Sequence, residues 1–156
     1  AGGVGVIAIQ LAKQIGATVA TTASESNAGY VRELGADIVI DYRSTDFTKA
    51  VGNYDLVFDT LGGDVHLASY AVLAPGGRMI YLNADPIPDE IPRDDVTVFN
   101  ALVNYDTEPL ARIAELVENG AIKPQVSAVV PLAEAISAYN LSQTGHVRGK
   151  VVLRVR

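Results

Sequence analysis

The chain carries three glycines in its first five residues, and this cluster runs directly into an apolar helical segment (AGGVGVIAIQLAKQIGATVA). Gly2 and Gly5 fit the second and third glycines of the dinucleotide fingerprint G-x-G-x-x-G, with Gly3 and Val4 between them. A side chain at Gly2 would push the backbone away from a pyrophosphate, and one at Gly5 would separate the helix from its sheet. The helix amides and dipole would face the phosphates. The turn therefore predicts a nucleotide phosphate site.

Short β-like runs alternate with helical ones along the first half of the chain. Strands are predicted at 18–23, 37–42, 54–60 and 77–83, and helices at 4–15, 27–34, 45–51 and 64–73. The strand runs at 37–42, 54–60 and 77–83 lack polar alternation, which is typical of strands buried on both faces of a parallel sheet, and the first helix is expected to be mostly buried. This order predicts an α/β fold with a doubly wound parallel sheet.

An acidic, proline-rich loop at 84–95 precedes the remaining elements. Helices are predicted at 108–118 and 131–142, with Pro131 at the first helical position, and strands at 96–103, at 124–130 and in the final GKVVLRVR. We expect 96–103 to be the last strand of the sheet. It presents an uncharged edge that favours pairing with another chain, through Val96, Val98, Phe99, Leu102 and Val103.

Composition excludes several classes of function. A net charge of −6 without a basic cluster argues against a nucleic-acid partner. Cysteine is absent, which excludes disulfides, thiol catalysis and thiolate metal sites. His66 and His146 show no metal-ligand spacing, so we predict no metal site and a surface or capping role for each. Since the sequence shows neither a membrane-spanning apolar run nor a targeting leader, the default expectation is a cytoplasmic protein without a membrane partner.

Five segments occur together and in order: AGGVGVIAIQLAKQIGATV, VRELGADIVIDYRSTDF, YDLVFDTLGG, LAPGGRMIYL and PLAEAISAYNLSQTGHVRGKVVLRV. This set resembles the medium-chain dehydrogenase/reductase superfamily, in its zinc-independent quinone-oxidoreductase-like branch. The resemblance implies a Rossmann sheet of order 3-2-1-4-5-6 whose first, central strand lies upstream of the chain. Residues 1–123 would form the NAD(P)-binding domain, and 124–156 would complete a catalytic domain. A homodimer joined through the cofactor-domain sheets is also implied.

The end of the second Rossmann strand indicates which cofactor is bound. NAD enzymes place an acidic residue there, about 20 residues past the glycine turn, for the ribose hydroxyl. Here that position falls at Ala23 or Ser24, and neither is acidic. We therefore expect NADPH, with NADH as the weaker ligand.

The resemblance implies further contacts to the cofactor. In relatives that prefer NADPH, a hydroxyl at the Ser24 position, a nearby basic residue and the tyrosine at Tyr42 surround the 2′-phosphate. The basic position falls at Ser26, beside Glu25, and Arg43 is the candidate substitute. Contacts are also expected after two strands, at Asp59, Thr60, Leu61, Leu82, Asn83 and Ala84. Arg148 to Lys150, in HVRGK, match a family segment near the pyrophosphate or nicotinamide side of the cofactor.

The implied reaction is hydride transfer to or from a small carbonyl, enone or quinone. Substrate contacts in the superfamily come from the catalytic domain, so no catalytic residue is assigned here and this segment alone is expected to be inactive. Tyr-x-x-x-Lys and G-x-S-x-G are absent, which excludes short-chain dehydrogenases and α/β-hydrolases. Two alternatives stay open: an S-adenosylmethionine-dependent methyltransferase, and a non-catalytic nucleotide-binding or dimerisation module.

Overall fold

The computed structural model describes residues 2–82, 85–89, 91–101 and 107–156. Its helices are α1 (Gly5–Gln14), α2 (Glu25–Glu33), α3 (Phe47–Ala50), α4 (Gly63–Ser69), α5 (Thr107–Glu118) and α6 (Ala135–Gln143). Its strands are β1 (Ala20–Ala23), β2 (Ile38–Asp41), β3 (Tyr54–Asp59), β4 (Leu73–Tyr81), β5 (Thr97–Asn100), β6 (Val126–Pro131) and β7 (Lys150–Arg154). They form two compact units: a first unit of Ala1–Asp41 with Asp106–Arg156, and a second unit of Tyr42–Tyr105.

The first unit contains two parallel strand pairs. β1 pairs with β2, so that Ala23 lies opposite Asp41, and β6 pairs with β7. α1 and α2 end as predicted at glycines in the left-handed conformation, Gly16 (φ 82°) and Gly35 (φ 110°). The core of this unit is a cluster of buried side chains, Ile9, Ala23, Val31 and Ala36.

The second unit is a three-stranded parallel sheet of order β3-β4-β5. Its core is formed by Tyr70, Leu73 and Met79. Arg93 holds the acidic loop against this sheet, because its Nη1 donates to the carbonyls of Tyr70 (2.9 Å) and Leu73 (2.7 Å).

The strand connections confirm the predicted fold class. A Rossmann sheet of order 3-2-1-4-5-6 without its strand 1 leaves a pair and a triplet of parallel strands. The structure shows such a pair, β1-β2, and such a triplet, β3-β4-β5. β5 is the terminal strand of its sheet, as expected, while Leu102 and Val103 lie outside the described residues. In the described ranges, no helix is both long and apolar enough to cross a bilayer.

One expectation about local structure is wrong. Pro131 does not open a helix: it is the last residue of β6, opposite Arg154, and a short 3₁₀ turn at 132–134 precedes α6. In the described chain, Phe58 on β3 is 37% exposed and Leu11 on α1 is 43% exposed.

Candidate functional site

The glycine turn lies at the N-terminus of α1, in the first unit. The helix begins at Gly5, and the N–H of Val6 donates to the carbonyl of Gly2 at 3.1 Å. A Cβ built on Gly2 or on Gly5 would meet no atom within 4 Å, so the expected collision between a Gly5 side chain and the sheet is not seen among the described residues. The N–H groups of Ile7 and Ala8 likewise donate to the carbonyl of Val4, each at 3.0 Å. The turn therefore combines unhindered approach to the backbone with the positive end of the helix dipole, which suits an anion.

Lys150 places a cation over this turn. Gly2 lies opposite Gly149 in an isolated parallel bridge, and Lys150 follows at the start of β7. Its side chain packs against Gly3, where a Cβ would lie 2.8 Å from Nζ. Gly149 has a φ of 77°, and a Cβ there would lie 2.6 Å from the Cβ of Gln125, so only glycine fits. The family resemblance predicts that Arg148 to Lys150 lie near the pyrophosphate or nicotinamide side of the cofactor, and Lys150 does lie beside the glycine turn.

Ser24 lies at the end of β1 and begins α2. Its backbone is extended (ψ 155°), and its Oγ lies 3.1 Å from the Oγ of Ser26. Ser24 is buried, whereas Ser26 is exposed. β1 ends at Ala23, as predicted, so the residue after the strand carries a hydroxyl rather than a carboxylate.

The Arg148 side chain contacts the first residues of α2, which lie far from Arg148 in the sequence. Its Nε donates to Oδ1 of Asn27 at 2.7 Å, and its Nη2 donates to the carbonyl of Ser26 at 2.8 Å. The guanidinium carbon lies 5.2 Å from the ring centroid of Tyr30, a cation–π distance. Burial raises the pKa of Tyr30, while the charge of Arg148 acts in the opposite direction. A basic group therefore stands beside Ser26, the position at which the sequence lacks one.

A cavity of about 720 Å³ borders the glycine turn within the first unit. Gly2, Gly3 and Lys150 line one part of it, and α6 lines another with Ile136 and Tyr139. This volume lies in the range of small-molecule sites. The turn thus opens onto a space large enough for part of a nucleotide.

In the second unit, Asp59 lies at the carboxyl end of β3 and points inward. Its Oδ1 accepts the N–H groups of Leu61 (2.9 Å) and Gly62 (3.0 Å), and its Oδ2 lies 2.9 Å from Nδ1 of His66. Asp59 is 4% exposed and His66 is 1% exposed. The carboxylate is therefore occupied by its own loop and by the following helix.

The predicted surface or capping role of His66 is wrong, because its ring is buried. It contacts the rings of Tyr70 and Tyr81 edge-on, at centroid distances of 5.6 and 5.2 Å. The signal that could have revealed the pair is an acidic strand end followed, after two glycines, by a histidine on the next helix. His146 behaves as predicted: it is exposed, and its Nδ1 lies 2.6 Å from the carbonyl of Thr144.

The loops after β3 and β4 are hydrogen-bonded to each other. The N–H of Leu82 donates to the carbonyl of Asp59, and the N–H of Asp85 donates to that of Leu61, each at 2.9 Å. Thr60 is half-buried within the first of these loops. The structure thus brings the predicted contacts Asp59, Thr60 and Leu82 together at one edge of the sheet.

Three other predicted positions are Tyr42, Asn83 and Ala84. Tyr42 is 56% exposed, and the guanidinium carbon of Arg43 lies 5.8 Å from its ring centroid. Asn83 and Ala84 lie outside the described residues.

The fold and the glycine turn together define a dinucleotide-binding domain of the Rossmann type. A profile of the family described as zinc-binding dehydrogenase matches residues 34–153, and the chain belongs to that family.

Individual relatives agree with this assignment. The NADPH-dependent alkenal/one oxidoreductase of Arabidopsis thaliana chloroplasts is 34% identical over 98% of this chain and 38% of its own length. The structure of the quinone oxidoreductase from Coxiella burnetii superimposes with a TM-score of 0.88 at 36% identity, over 100% of this chain and 50% of that one. A mycobacterial protein solved in complex with NADPH gives a TM-score of 0.86 at 28% identity, over 99% of this chain and 54% of that one. The chain thus spans about half the length of these relatives, or less.

The family's name refers to zinc, and the donor groups in the described part of the chain do not form a site for that metal. Zinc sites in proteins use cysteine, histidine and carboxylate ligands. The sequence has no cysteine, and one of its two histidines is bound to Asp59. Within the described residues, no group of three or more histidine, aspartate or glutamate side chains is placed to hold a metal ion.

Proposed function

We propose that this chain is the cofactor-binding part of an NADPH-dependent oxidoreductase that transfers hydride to or from a small carbonyl, enone or quinone. The observation that carries the proposal is the placement of two cations on either side of Gly149. Lys150 lies over the glycine turn, and Arg148 lies at the end of β1. The names of the relatives support the same activity. Membership of the dehydrogenase family argues against the methyltransferase alternative.

The glycine turn and Lys150 would hold the pyrophosphate of the cofactor. The positive end of the helix dipole attracts anions to the N-terminus of α1. The ammonium of Lys150 adds a full positive charge beside Gly3. The open space at Gly2 lets the phosphates approach the backbone. These groups recognise phosphate but do not distinguish NADPH from NADH.

The 2′-phosphate would be bound where Ser24, Ser26 and Arg148 meet. Arginine carries five N–H donors, and two of its nitrogens already hold it in place against Asn27 and Ser26. The remaining donors and the serine hydroxyls suit a doubly charged phosphate, since charge-assisted hydrogen bonds are the strong ones. The residue after β1 is a serine, so no carboxylate at that position would repel the phosphate. This arrangement favours NADPH.

The nicotinamide ring supplies the hydride when the cofactor is bound, and the role of this chain is to hold it. Tyr42, Thr60, Leu82 and Asn83 remain predicted contacts of the cofactor. The division into 1–123 and 124–156 also remains a prediction. Localisation in the cytoplasm also remains a prediction. A relative is named as a chloroplast protein, so the compartment differs within the family. The alternative of a non-catalytic nucleotide-binding module would show cofactor binding without turnover of any carbonyl, enone or quinone.

Fluorescence titration of the purified protein with NADPH and NADH tests the proposal. We expect NADPH to bind more tightly. Arg148→Gln should weaken NADPH about tenfold, the cost of a lost charged hydrogen bond, and leave NADH unchanged. Arg154→Gln is the matched control, since Arg154 is exposed at the end of β7. Tighter binding of NADH by the unaltered protein would overturn the NADPH assignment.

We also propose a homodimer formed through β5. This strand is bonded to β4 on one side, its sequence TVFN carries no charge, and Phe99 is 47% exposed. Two-fold pairing of such an edge closes an assembly instead of extending it. Light scattering at micromolar concentration should give a dimer, and Phe99→Lys should give a monomer. Tyr139→Lys, on exposed α6, is the control, and a monomeric mass for the unaltered protein would reject the proposal.

A further inference from the structure

The loop between β3 and α4 contains two consecutive glycines in the left-handed conformation. Gly62 has a φ of 81° and Gly63 a φ of 56°. Glycines leave a backbone many accessible conformations. A single loop conformation therefore requires hydrogen bonds from elsewhere. The described contacts assign that role to the Asp59 carboxylate, which accepts the N–H groups of Leu61 and Gly62.

His66 holds the carboxylate in this orientation. The 2.9 Å contact between its Nδ1 and Oδ2 of Asp59 is almost completely buried, with side-chain exposures of 2% and 1%. The edge-on contacts with Tyr70 and Tyr81 limit rotation of the imidazole. A series of contacts thus connects two tyrosine rings, through His66 and Asp59, to the backbone of the loop.

Stability alone does not explain a buried pair of this kind. Burying two ionisable groups carries a desolvation cost, and apolar side chains of the same volume often stabilise a fold as well or better. A polar network in which each member is bonded instead imposes one geometry. The geometry imposed here is that of the loop at the carboxyl end of β3, the edge at which open α/β sheets bind ligands.

We propose that Asp59 and His66 are positioning residues that fix the loop 60–62 for the nicotinamide half of the cofactor. The proposal rests on the cofactor-binding function proposed above. In a doubly wound sheet each half serves one mononucleotide, and the glycine turn with the end of β1 serves the adenosine half. β3 and β4 correspond to strands of the other half of such a sheet, which serves the second mononucleotide. Asp59 acts through the loop backbone and not by touching the ligand.

Two ligands separate this role from general stability. NADPH carries both mononucleotides, whereas 2′,5′-ADP carries the adenosine and 2′-phosphate but no nicotinamide. We expect His66→Leu to weaken NADPH about tenfold, the cost of one buried charged hydrogen bond, with no change for 2′,5′-ADP. His66→Asn keeps an N–H donor near the position of Nδ1 and should restore NADPH binding. Isothermal calorimetry of the purified protein measures both ligands.

Asp59→Asn provides a second variant if His66→Leu does not fold, because it keeps the side-chain volume and an oxygen for the loop amides. It replaces a charged acceptor by a neutral one, whose hydrogen bonds to the loop are weaker, and should therefore weaken NADPH selectively as well. Equal weakening of both ligands by the folded variants, or no weakening of either, would overturn the positioning role, as would failure of both variants to fold. If the unaltered protein binds neither ligand, the proposed function itself fails, which is a distinguishable result.

Discussion

The two units hold their polar groups in opposite ways. In the first unit, Arg148 and Lys150 are exposed side chains that a ligand can contact directly. In the second unit, Asp59 and His66 are buried and act on the loop backbone. The first arrangement suits recognition of charge, because phosphates need cations and free amides. The second suits recognition of shape, because a fixed backbone presents the same surface to each ligand that approaches it.

The same contrast appears in the glycines. Gly2, in the first unit, faces open space, whereas a Cβ at Gly62 would lie 2.6 Å from the carbonyl oxygen of Asp85. Gly2 is therefore free to serve a ligand, while Gly62 is required by the packing of its own loop. Substitutions at these two positions should separate loss of binding from loss of stability.

The largest expected effect is that of Gly2→Val on NADPH binding. The branched side chain would occupy the space of the pyrophosphate and abolish measurable binding. Because a Cβ meets no atom within 4 Å, we expect the free energy of unfolding to change by less than about 0.5 kcal/mol. Fluorescence titration and urea unfolding measure the two quantities.

Gly52→Val is the matched control for Gly2→Val. Gly52 also faces open space, and it precedes β3 at the amino end of that strand, away from the binding edge. The Gly52→Val variant should bind NADPH normally. Normal binding by Gly2→Val would show that the glycine turn is only structural.

An intermediate effect is expected for Gly62→Ala, which should mainly lower the free energy of unfolding. The added Cβ would collide with the backbone of Asp85, and the alanine would have to adopt a φ of 81°. Such strain costs about 1–3 kcal/mol. Gly76→Ala isolates the collision, since Gly76 has a similar φ of 74° but open space around it. If both variants lose the same stability by urea unfolding, the contact with Asp85 contributes nothing.

The sequence predicted the parts of the fold and site that depend on neighbouring residues. The glycine turn, the succession of strands and helices and the end of β1 at Ala23 all follow from local patterns. Pro131 was assigned wrongly because proline fits both the first turn of a helix and the end of a strand, and the pairing with Arg154 decides between them.

Contacts between distant residues could not be predicted in the same way. Arg148 lies 121 residues from Asn27, and only the folded chain shows that the two side chains meet. Lys150 reaches Gly3 for the same reason. His66 is closer to Asp59, seven residues away, but its burial depends on Tyr70 and Tyr81, which belong to other elements.

The smallest expected effect is on the stability of the fold at acid pH. We compare one exposed carboxylate from each unit. Two hydrogen bonds hold the pKa of Asp37 below its ordinary value of 3.8. The one from the N–H of Val19 has the larger effect, and the one from Lys13 is second. The Arg93 guanidinium does the same for the pKa of Asp95. A carboxylate with a lowered pKa in the folded state stabilises the fold above its unfolded pKa, and this contribution is lost as the pH falls through the folded value.

Asp37→Asn and Asp95→Asn should therefore each be less stable than the unaltered protein at neutral pH, by a small amount because the groups are exposed. The difference should close as the pH falls below the ordinary value of 3.8 and through the lowered pKa of each folded carboxyl, since the unaltered carboxylates become protonated there. Urea unfolding followed by circular dichroism measures it. Lys13→Met tests the cause at Asp37: it removes the 2.9 Å ion pair but keeps the 2.7 Å bond from Val19, the larger contribution. It should reproduce only part of the effect of Asp37→Asn, and a full reproduction would assign the shift to the ion pair instead.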